Sequence, residues 1–169
     1  MCDIILKKNS SLNIAYAAII AAMYVALTML AQAFGLASGA IQVRLSEALT
    51  ILPYFTPAAI PGLFVGCIIA NLVTGCALWD IVFGSLATLI GAVGTYLLRK
   101  FKWLAPVPPI VSNTVIVPFV LRYVYGIPDA LPYLCLTVGA GEVISCGILG
   151  MILLFALKKY EDKIFKKGQ

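Results

Sequence analysis

The stretch IAYAAIIAAMYVALTML, from Ile14 to Leu30, decides the fold class of this chain. It contains no Asp, Glu, Lys or Arg, and the charge-free gap around it runs from Lys8 to Arg44. A helix that crosses a bilayer needs about 17 to 25 predominantly apolar residues. The basic pair before the stretch could also suggest a secretory signal, but its apolar part exceeds the usual ~7 to 15 residues of a signal core. We therefore predict a transmembrane helix here.

The rest of the sequence repeats this separation of charged and apolar residues. Two further gaps without charge run from Glu47 to Asp80 and from Asp80 to Arg99. Over the 169 residues, 62% are hydrophobic, 11% are charged, and the mean hydropathy is +1.03. A soluble globule of this size could not hide so much apolar surface from water. The composition predicts an all-α integral membrane protein.

Prolines and glycines divide the chain into helices of unequal length. The second helix is expected to be short because prolines follow it closely. We expect one membrane domain over residues 1–169, a bundle of six transmembrane helices at about 13–34, 44–56, 58–74, 79–99, 106–125 and 130–158.

The basic residues indicate how this bundle is oriented in the membrane. They cluster near Lys7, between Arg99 and Lys102, and from Lys158 to the end of the chain. An even number of crossings places both termini on one side, and the excess of Lys and Arg in cytoplasmic loops makes that side the cytoplasm. No basic stripe interleaved with exposed aromatics is evident, so we expect no nucleic acid partner.

Glu142 is the first candidate for a binding site, because it lies midway along the last apolar stretch. A carboxylate at that depth costs at least about 2.5–3.5 kcal/mol unless it faces a cavity or a partner. A structural ion pair with Arg44 or Arg122 is the alternative. Asn71 and Asn113 also lie in apolar segments, where an amide serves either helix packing or ligand contact.

Four further residues near the expected helix ends are candidates. Arg44 and Glu47 are spaced to pair on one helical face, and either anchor the interface or bind a ligand. Asp80 could cap the fourth helix or line a site. Trp79 could belong to the aromatic belt at the membrane surface or stack on a ligand.

The first helix carries small residues four apart, Ala18 and Ala22, which allow another helix to approach closely. They serve either packing within the chain or docking to another membrane protein. No phosphate-binding loop is present, so any ATP-driven role requires another subunit. The chain also has no histidine and no motif of a hydrolase. We expect no catalytic residue, no cofactor and no metal site.

Five stretches together resemble the QueT family. They are IQVRLSEALTILPYF (41–55), IPGLFVGCIIANLVTG (60–75), LWDIVFGSLATLIGAVGTYLLRK (78–100), LAPVPPIVSNT (104–114) and VGAGE (138–142). Members of this family are substrate-binding S components of energy-coupling factor (ECF) importers, assigned to precursors of queuosine. The resemblance implies an S-component-like bundle of six helices with both termini in the cytoplasm. It also implies a transmembrane coupling protein and two ATPase subunits as partners, with Ala18 and Ala22 at the docking face.

The ligand implied by the resemblance is a 7-deazaguanine such as preQ0, preQ1 or queuine, captured from outside under the loops 35–44 and 74–80. Its N–H edge could meet Glu142 or Glu47, and its carbonyl could meet Asn71, Asn113 or Arg44. Trp79 could stack on its ring. The alternatives are an S component for another vitamin or nucleobase, and a stand-alone secondary transporter, although no inverted repeat favours the latter.

Overall fold

The structure, a computed structural model, describes residues 2–36 and 42–164. These residues form helices and turns without a strand, which confirms the predicted all-α class. In chain order the elements are α1 (Cys2–Ala33), a 3₁₀ helix (Leu45–Tyr54), α2 (Ala59–Val73), α3 (Leu78–Leu97), α4 (Val107–Tyr123), α5 (Leu131–Glu142), a π-helical segment (Val143–Leu149), α6 (Gly150–Lys158) and α7 (Glu161–Ile164).

The observed elements differ from the predicted helices in three places. Helix α1 begins at Cys2, about ten residues before the predicted start, because the polar residues ahead of the apolar stretch include no helix breaker. The second element is a 3₁₀ helix that contains Pro53, which has no N–H to donate and cannot sustain an α-helix. The last predicted helix consists of α5, the π segment and α6 in direct succession.

The 3₁₀ helix lies at the centre of the bundle. It contacts α1, α2, α3, the π segment and α6, while the longer helices pack in sequence around it. Its residues from Ser46 to Pro53 are all buried. This short element is therefore shielded by the others, and its polar side chains face protein.

Helices α1 and α2 approach closely through small residues. A Cβ atom on Gly62 would lie only 2.7 Å from the carbonyl oxygen of Ala17, and Ala21 one turn further along is buried. Ala18 and Ala22 point elsewhere and are exposed. Packing within the chain therefore uses one alanine row of α1 and leaves the neighbouring row uncovered.

The outer surface of the bundle is apolar. Within residues 2–36 and 42–164, three continuous helical stretches are long and apolar enough to cross a membrane, namely Ser11–Ala33, Leu78–Leu97 and Leu131–Lys158. Helices α2 and α4 are shorter but also apolar. Large side chains such as Ile19, Val115 and Leu136 are more than half exposed, which suits contact with lipid tails rather than with water.

Charged groups gather at two opposite ends of the bundle. At the end where α1 finishes and α3 starts, called here the recess end, lie Arg44, Asp80, Arg122 and Asp129. The other end, called the lysine end, holds the charged cluster between α3 and α4 and the lysines that end α6. Basic residues are thus concentrated at the lysine end, while the recess end carries both signs of charge.

Candidate functional site

A recess opens at the recess end, between α1, the start of the 3₁₀ helix, the α2–α3 connection and the end of α4. Its volume is about 440 Å³, within the range of about 300–1,000 Å³ typical of small-molecule sites. Arg44 and Asp80 are the two charged side chains in its wall. The other lining residues are Tyr24, Thr28, Ala31, Gln32, Gln42, Ser46, Asn71, Thr74, Cys76, Leu121, Tyr125 and Ile127.

Asp80 stands in the first turn of α3 and is only 6% exposed. It is not the N-cap that the sequence allowed, because Ala77 occupies that position. The hydroxyl of Tyr125 donates to Asp80 Oδ2 over 2.8 Å and accepts the backbone N–H of Ala77 over 3.1 Å. Burial raises the pKa of Tyr125 to about 12, so this hydroxyl stays a donor to the carboxylate at neutral pH.

Arg44 precedes the 3₁₀ helix with an extended backbone (φ −96°, ψ 101°). Within the described part of the chain it forms no ion pair with Asp80 or with Glu47. Arg44 and Asp80 therefore stand in the wall of the recess without an ion pair between them, and the Asp80 side chain is hydrogen-bonded to Tyr125.

The inner wall of the recess is formed by side chains from α1 and the 3₁₀ helix. Thr28 Oγ1 donates to Ser46 Oγ over 2.9 Å. Tyr24, 2% exposed, donates its hydroxyl to Glu47 Oε1 in a short hydrogen bond. Tyr24 thus joins the recess to a deeper polar cluster that does not itself line it.

This buried cluster brings together groups from the 3₁₀ helix, α4, α5 and the π segment. Asn113 Nδ2 donates to Glu47 Oε2 over 3.4 Å. Cys146 Sγ donates to Glu142 Oε2 over 3.2 Å and to the carbonyl oxygen of Glu47 over 3.4 Å. Both glutamates are buried, with 1% and 6% of their surfaces exposed. Each carboxyl group therefore has a partner deep in the bundle, as burial requires.

One carboxylate oxygen each from Glu47 and Glu142 lies within 4.8 Å of the other and of Cys146 Sγ. Such a set could hold a small divalent ion if the thiol lost its proton. The same carboxylates are satisfied by the donors Tyr24, Asn113 and Cys146.

A close backbone contact positions the segment that enters the recess. A Cβ atom on Gly141 would lie 2.1 Å from the carbonyl oxygen of Gln42. Only glycine allows α5 to approach this segment so closely. Gln42, which lines the recess, is therefore held by the same end of α5 that carries Glu142.

Comparison with known proteins identifies the family. The family model described as QueT transporter matches residues 14–159. The chain belongs to the QueT transporter family. The Queuosine precursor transporter QueT of Lactococcus lactis subsp. cremoris (strain MG1363) is 35% identical over 99 residues, which cover 57% of this chain and 57% of that protein. No solved structure matches the chain significantly.

Membership of the QueT family confirms the resemblance drawn from the sequence, and with the apolar helices it makes the chain a multi-pass membrane protein. The predicted site residues of this QueT family member fall into three groups. Those that line the recess are Arg44, Asn71 and Asp80. Those in the buried cluster are Glu47, Asn113 and Glu142. Trp79 stands apart, 58% exposed and stacked on Phe83 at 5.9 Å between ring centroids.

The sequence suggested an ion pair with an arginine as a structural role for Glu142. Among the described residues, Glu142 forms no such ion pair. Glu142 accepts from Cys146, and Arg122 donates instead to the carbonyl oxygens of Ile127 and Asp129 over 3.0 and 3.3 Å. Arg122 of this QueT family member therefore binds the backbone near the recess end and not the buried Glu142.

Sequence reasoning missed several residues of the site. They are Tyr24, Ser46, Tyr125 and Cys146. Ser46 could have been found, because it adjoins Glu47 between two candidates. Tyr24 and Cys146 give no local signal, since a tyrosine or a cysteine in an apolar helix is ordinary.

Proposed function

We propose that this chain is the substrate-binding S component of an ECF-type importer and captures a queuosine precursor from outside the cell. The observation that carries the proposal is a polar recess of about 440 Å³ at one end of a membrane bundle in a QueT family chain. A bilayer-embedded chain rarely keeps charged and amide groups without a functional reason. The name of the Lactococcus relative supplies the ligand class.

The polar groups suit a 7-deazaguanine such as preQ0, preQ1 or queuine. A guanine-type ring offers an edge of N–H donors and a carbonyl acceptor. We place the N–H donor edge of the ring against the inner wall of the recess. Tyr24 lines this wall, and Glu47 lies directly behind it, hydrogen-bonded to its hydroxyl. The carbonyl would accept from Arg44 or Asn71 on the surrounding walls.

Asp80 would meet the substituent on the five-membered ring. Its carboxylate lies in the wall of the recess beside the Tyr125 hydroxyl. PreQ1 carries an aminomethyl cation at this position, whereas preQ0 carries an uncharged nitrile. A buried carboxylate forms its strongest hydrogen bonds with a charged donor, so the site should favour the cationic precursor.

The deeper residues would act through those at the wall. Asn113 donates to Glu47 and so fixes the carboxylate behind Tyr24. Glu142, through Cys146, fixes the backbone of Glu47 from the other side. We therefore treat Asn113 and Glu142 as positioning residues.

The orientation proposed from charge opens the recess to the outside. With the lysine end in the cytoplasm, both termini are cytoplasmic and the connection from Thr74 to Asp80 covers the recess from the outer side. The other expected covering loop, 35–44, lies partly outside the described residues.

The proposed partners are a transmembrane coupling protein and two ATPase subunits. The exposed alanine row of α1, with Ala18 and Ala22, offers a smooth face to a second membrane protein. Because this chain carries no phosphate-binding loop, ATP hydrolysis would occur on the partners. Ligand release would follow a tilt of this chain in the membrane.

Ligand binding is tested by calorimetric titration of the purified chain with preQ1, preQ0 and queuine, against riboflavin, thiamine and pantothenate. We expect saturable binding of the deazaguanines only. Arg44→Gln should weaken that binding, and Arg99→Gln, which alters an arginine at the lysine end away from the recess, should not. Tight binding of a vitamin instead would show that the scaffold serves another ligand.

Partner dependence is tested by uptake of labelled precursor into cells with and without the coupling protein and ATPases. We expect uptake only with the complete set, and we expect Ala18→Trp to abolish it. Val115→Trp, which adds the same bulk at an exposed position on α4, should have little effect. Uptake by the chain alone would make it a stand-alone secondary transporter.

A further inference from the structure

A second cavity lies at the lysine end, far along the bundle from the recess. Its volume is about 500 Å³. The end of the 3₁₀ helix, the connection between α3 and α4, and the end of α6 form its walls. Three lysines and three aromatic residues line most of it, namely Lys100, Lys102, Lys158, Tyr54, Phe101 and Trp103.

Two of the three lysines of this cavity, called here the lysine cradle, lie against aromatic rings. Lys102 Nζ lies 5.4 Å from the ring centroid of Trp103. Lys158 Nζ donates to the hydroxyl of Tyr54 over 3.3 Å and lies 5.7 Å from its ring centroid. No Asp or Glu is among the described residues that line the cavity. The ammonium groups are thus oriented without being neutralised, which leaves them able to bind an anion.

The cradle is also continuous with apolar surface. Phe101 and Trp103 are 62% and 66% exposed, and Trp103 packs edge-on against Phe155 of α6 at 5.7 Å. Beyond Phe155, α6 presents exposed apolar side chains such as Ile152. A ligand held here would meet cations at its head and an apolar helix along its length.

We propose that the lysine cradle binds the phosphodiester headgroup of an anionic phospholipid, with an acyl chain lying along α6. Basic pockets at the ends of transmembrane helices recognise such headgroups. Aromatic side chains at the same level suit the boundary between headgroup and tail. An acidic protein segment would match the lysines but would leave the exposed rings and α6 without an apolar partner. The site is independent of ligand capture at the recess.

The test is native mass spectrometry of the full chain released from detergent, with phosphatidylglycerol or cardiolipin added against phosphatidylcholine. We expect the anionic lipids to be retained and phosphatidylcholine to be lost. The double variant Lys102→Gln with Lys158→Gln should weaken retention about tenfold or more, because each lysine near a headgroup contributes to binding.

The matched control is the double variant Arg99→Gln with Lys159→Gln. It removes the same net charge at the same end from residues that do not line the cradle, and it should retain the lipid. Thermal unfolding in detergent checks that both variants fold. Equal loss in both double variants, equal retention of phosphatidylcholine, or displacement of the lipid by millimolar inorganic phosphate would each overturn the proposal. So would a cradle variant that keeps the lipid but no longer assembles with the ATPase module, since the cradle would then dock protein.

Discussion

Glu47 is enclosed by protein at the centre of a membrane bundle. A charged or polar group in such a place must find partners, because neither lipid nor water can supply them. Tyr24 and Asn113 donate to its two oxygens from different helices. The same tyrosine lines the recess, so the network that satisfies Glu47 also shapes the surface that a ligand would meet.

Replacing Tyr24 with Phe should therefore affect both stability and binding. The change leaves a buried carboxylate oxygen without its donor, which destabilises by about 1–3 kcal/mol. We expect a lower unfolding midpoint in detergent and weaker ligand binding. Tyr123→Phe is the control, because that side chain is 73% exposed on α4. Equal midpoints for the two variants would show that the hydrogen bond to Glu47 contributes little.

Asp80→Asn should separate the precursors by charge. The substitution keeps the shape of the side chain and removes its charge, so a cationic substituent loses a charge-assisted hydrogen bond of about 1.5–3 kcal/mol. We expect calorimetry to show an affinity for preQ1 that falls roughly tenfold or more, with preQ0 changed much less. Asp129→Asn, at an exposed carboxylate of the same end, should leave both affinities unchanged. Parallel loss for both precursors would place Asp80 against the ring instead.

The buried glutamates and asparagines could be predicted as notable, because an ionisable or amide group in an apolar segment is expensive wherever it points. The hydrogen-bond partners of these residues could not be predicted. Tyr24 and Glu47 are 23 residues apart, and the hydrogen bond between them depends on how α1 packs on the 3₁₀ helix. Trp79 shows the opposite case. Its residue type suggested stacking on a ligand, and the side chain stacks on Phe83.

At the scale of elements, the junction of α5 and the π segment combines an irregular helix with a close contact. Glu142 is the last residue of α5, and the widened turns begin directly after it. π-helical insertions often occur at functional sites. Here the junction sets the direction of Glu142 and Cys146 while Gly141 meets the backbone of Gln42.

Gly141→Ala should weaken ligand binding by moving this junction. The added methyl group would lie 2.1 Å from the carbonyl oxygen of Gln42, so the segment that lines the recess must shift. Gly147→Ala in the π segment is the matched control, since its nearest neighbours are at 3.7 Å or beyond. Calorimetric affinities that fall for the first variant only would support the contact. Equal affinities would show that the segment adjusts freely.

Element positions were largely predictable, because runs of apolar residues between Pro and Gly mark helices well. Element type was not. The 3₁₀ form of residues 45–54 depends on Pro53 and on enclosure by five neighbouring elements, and only the first of these is visible in sequence. The π segment gives no local signal at all.

At the scale of the molecule, the separation of charges makes the two ends chemically different. Residues Lys100 and Asp129 lie at opposite ends and are both exposed. In a background with Cys2, Cys76 and Cys135 replaced by Ser, Lys100→Cys and Asp129→Cys each add one accessible thiol; the remaining cysteines are 1% exposed. We expect a membrane-impermeant maleimide added to whole cells to label only position 129.

Permeabilised cells provide the control for this experiment, because both positions should then react. Labelling of both thiols in intact cells would contradict the proposed orientation, and so would labelling of position 100 alone. The apolar bundle follows from composition, whereas its orientation in the membrane stays a prediction from the charge distribution.

The two tryptophans of the chain are placed at different ends, Trp79 beside the recess and Trp103 in the lysine cradle. Each end therefore carries its own intrinsic fluorophore. Trp103→Phe would leave emission from Trp79, one residue before the recess residue Asp80, and Trp79→Phe would leave emission from Trp103 in the lysine cradle. With one native tryptophan at each end, changes at the recess end and at the lysine end could be followed separately in real time without any attached dye.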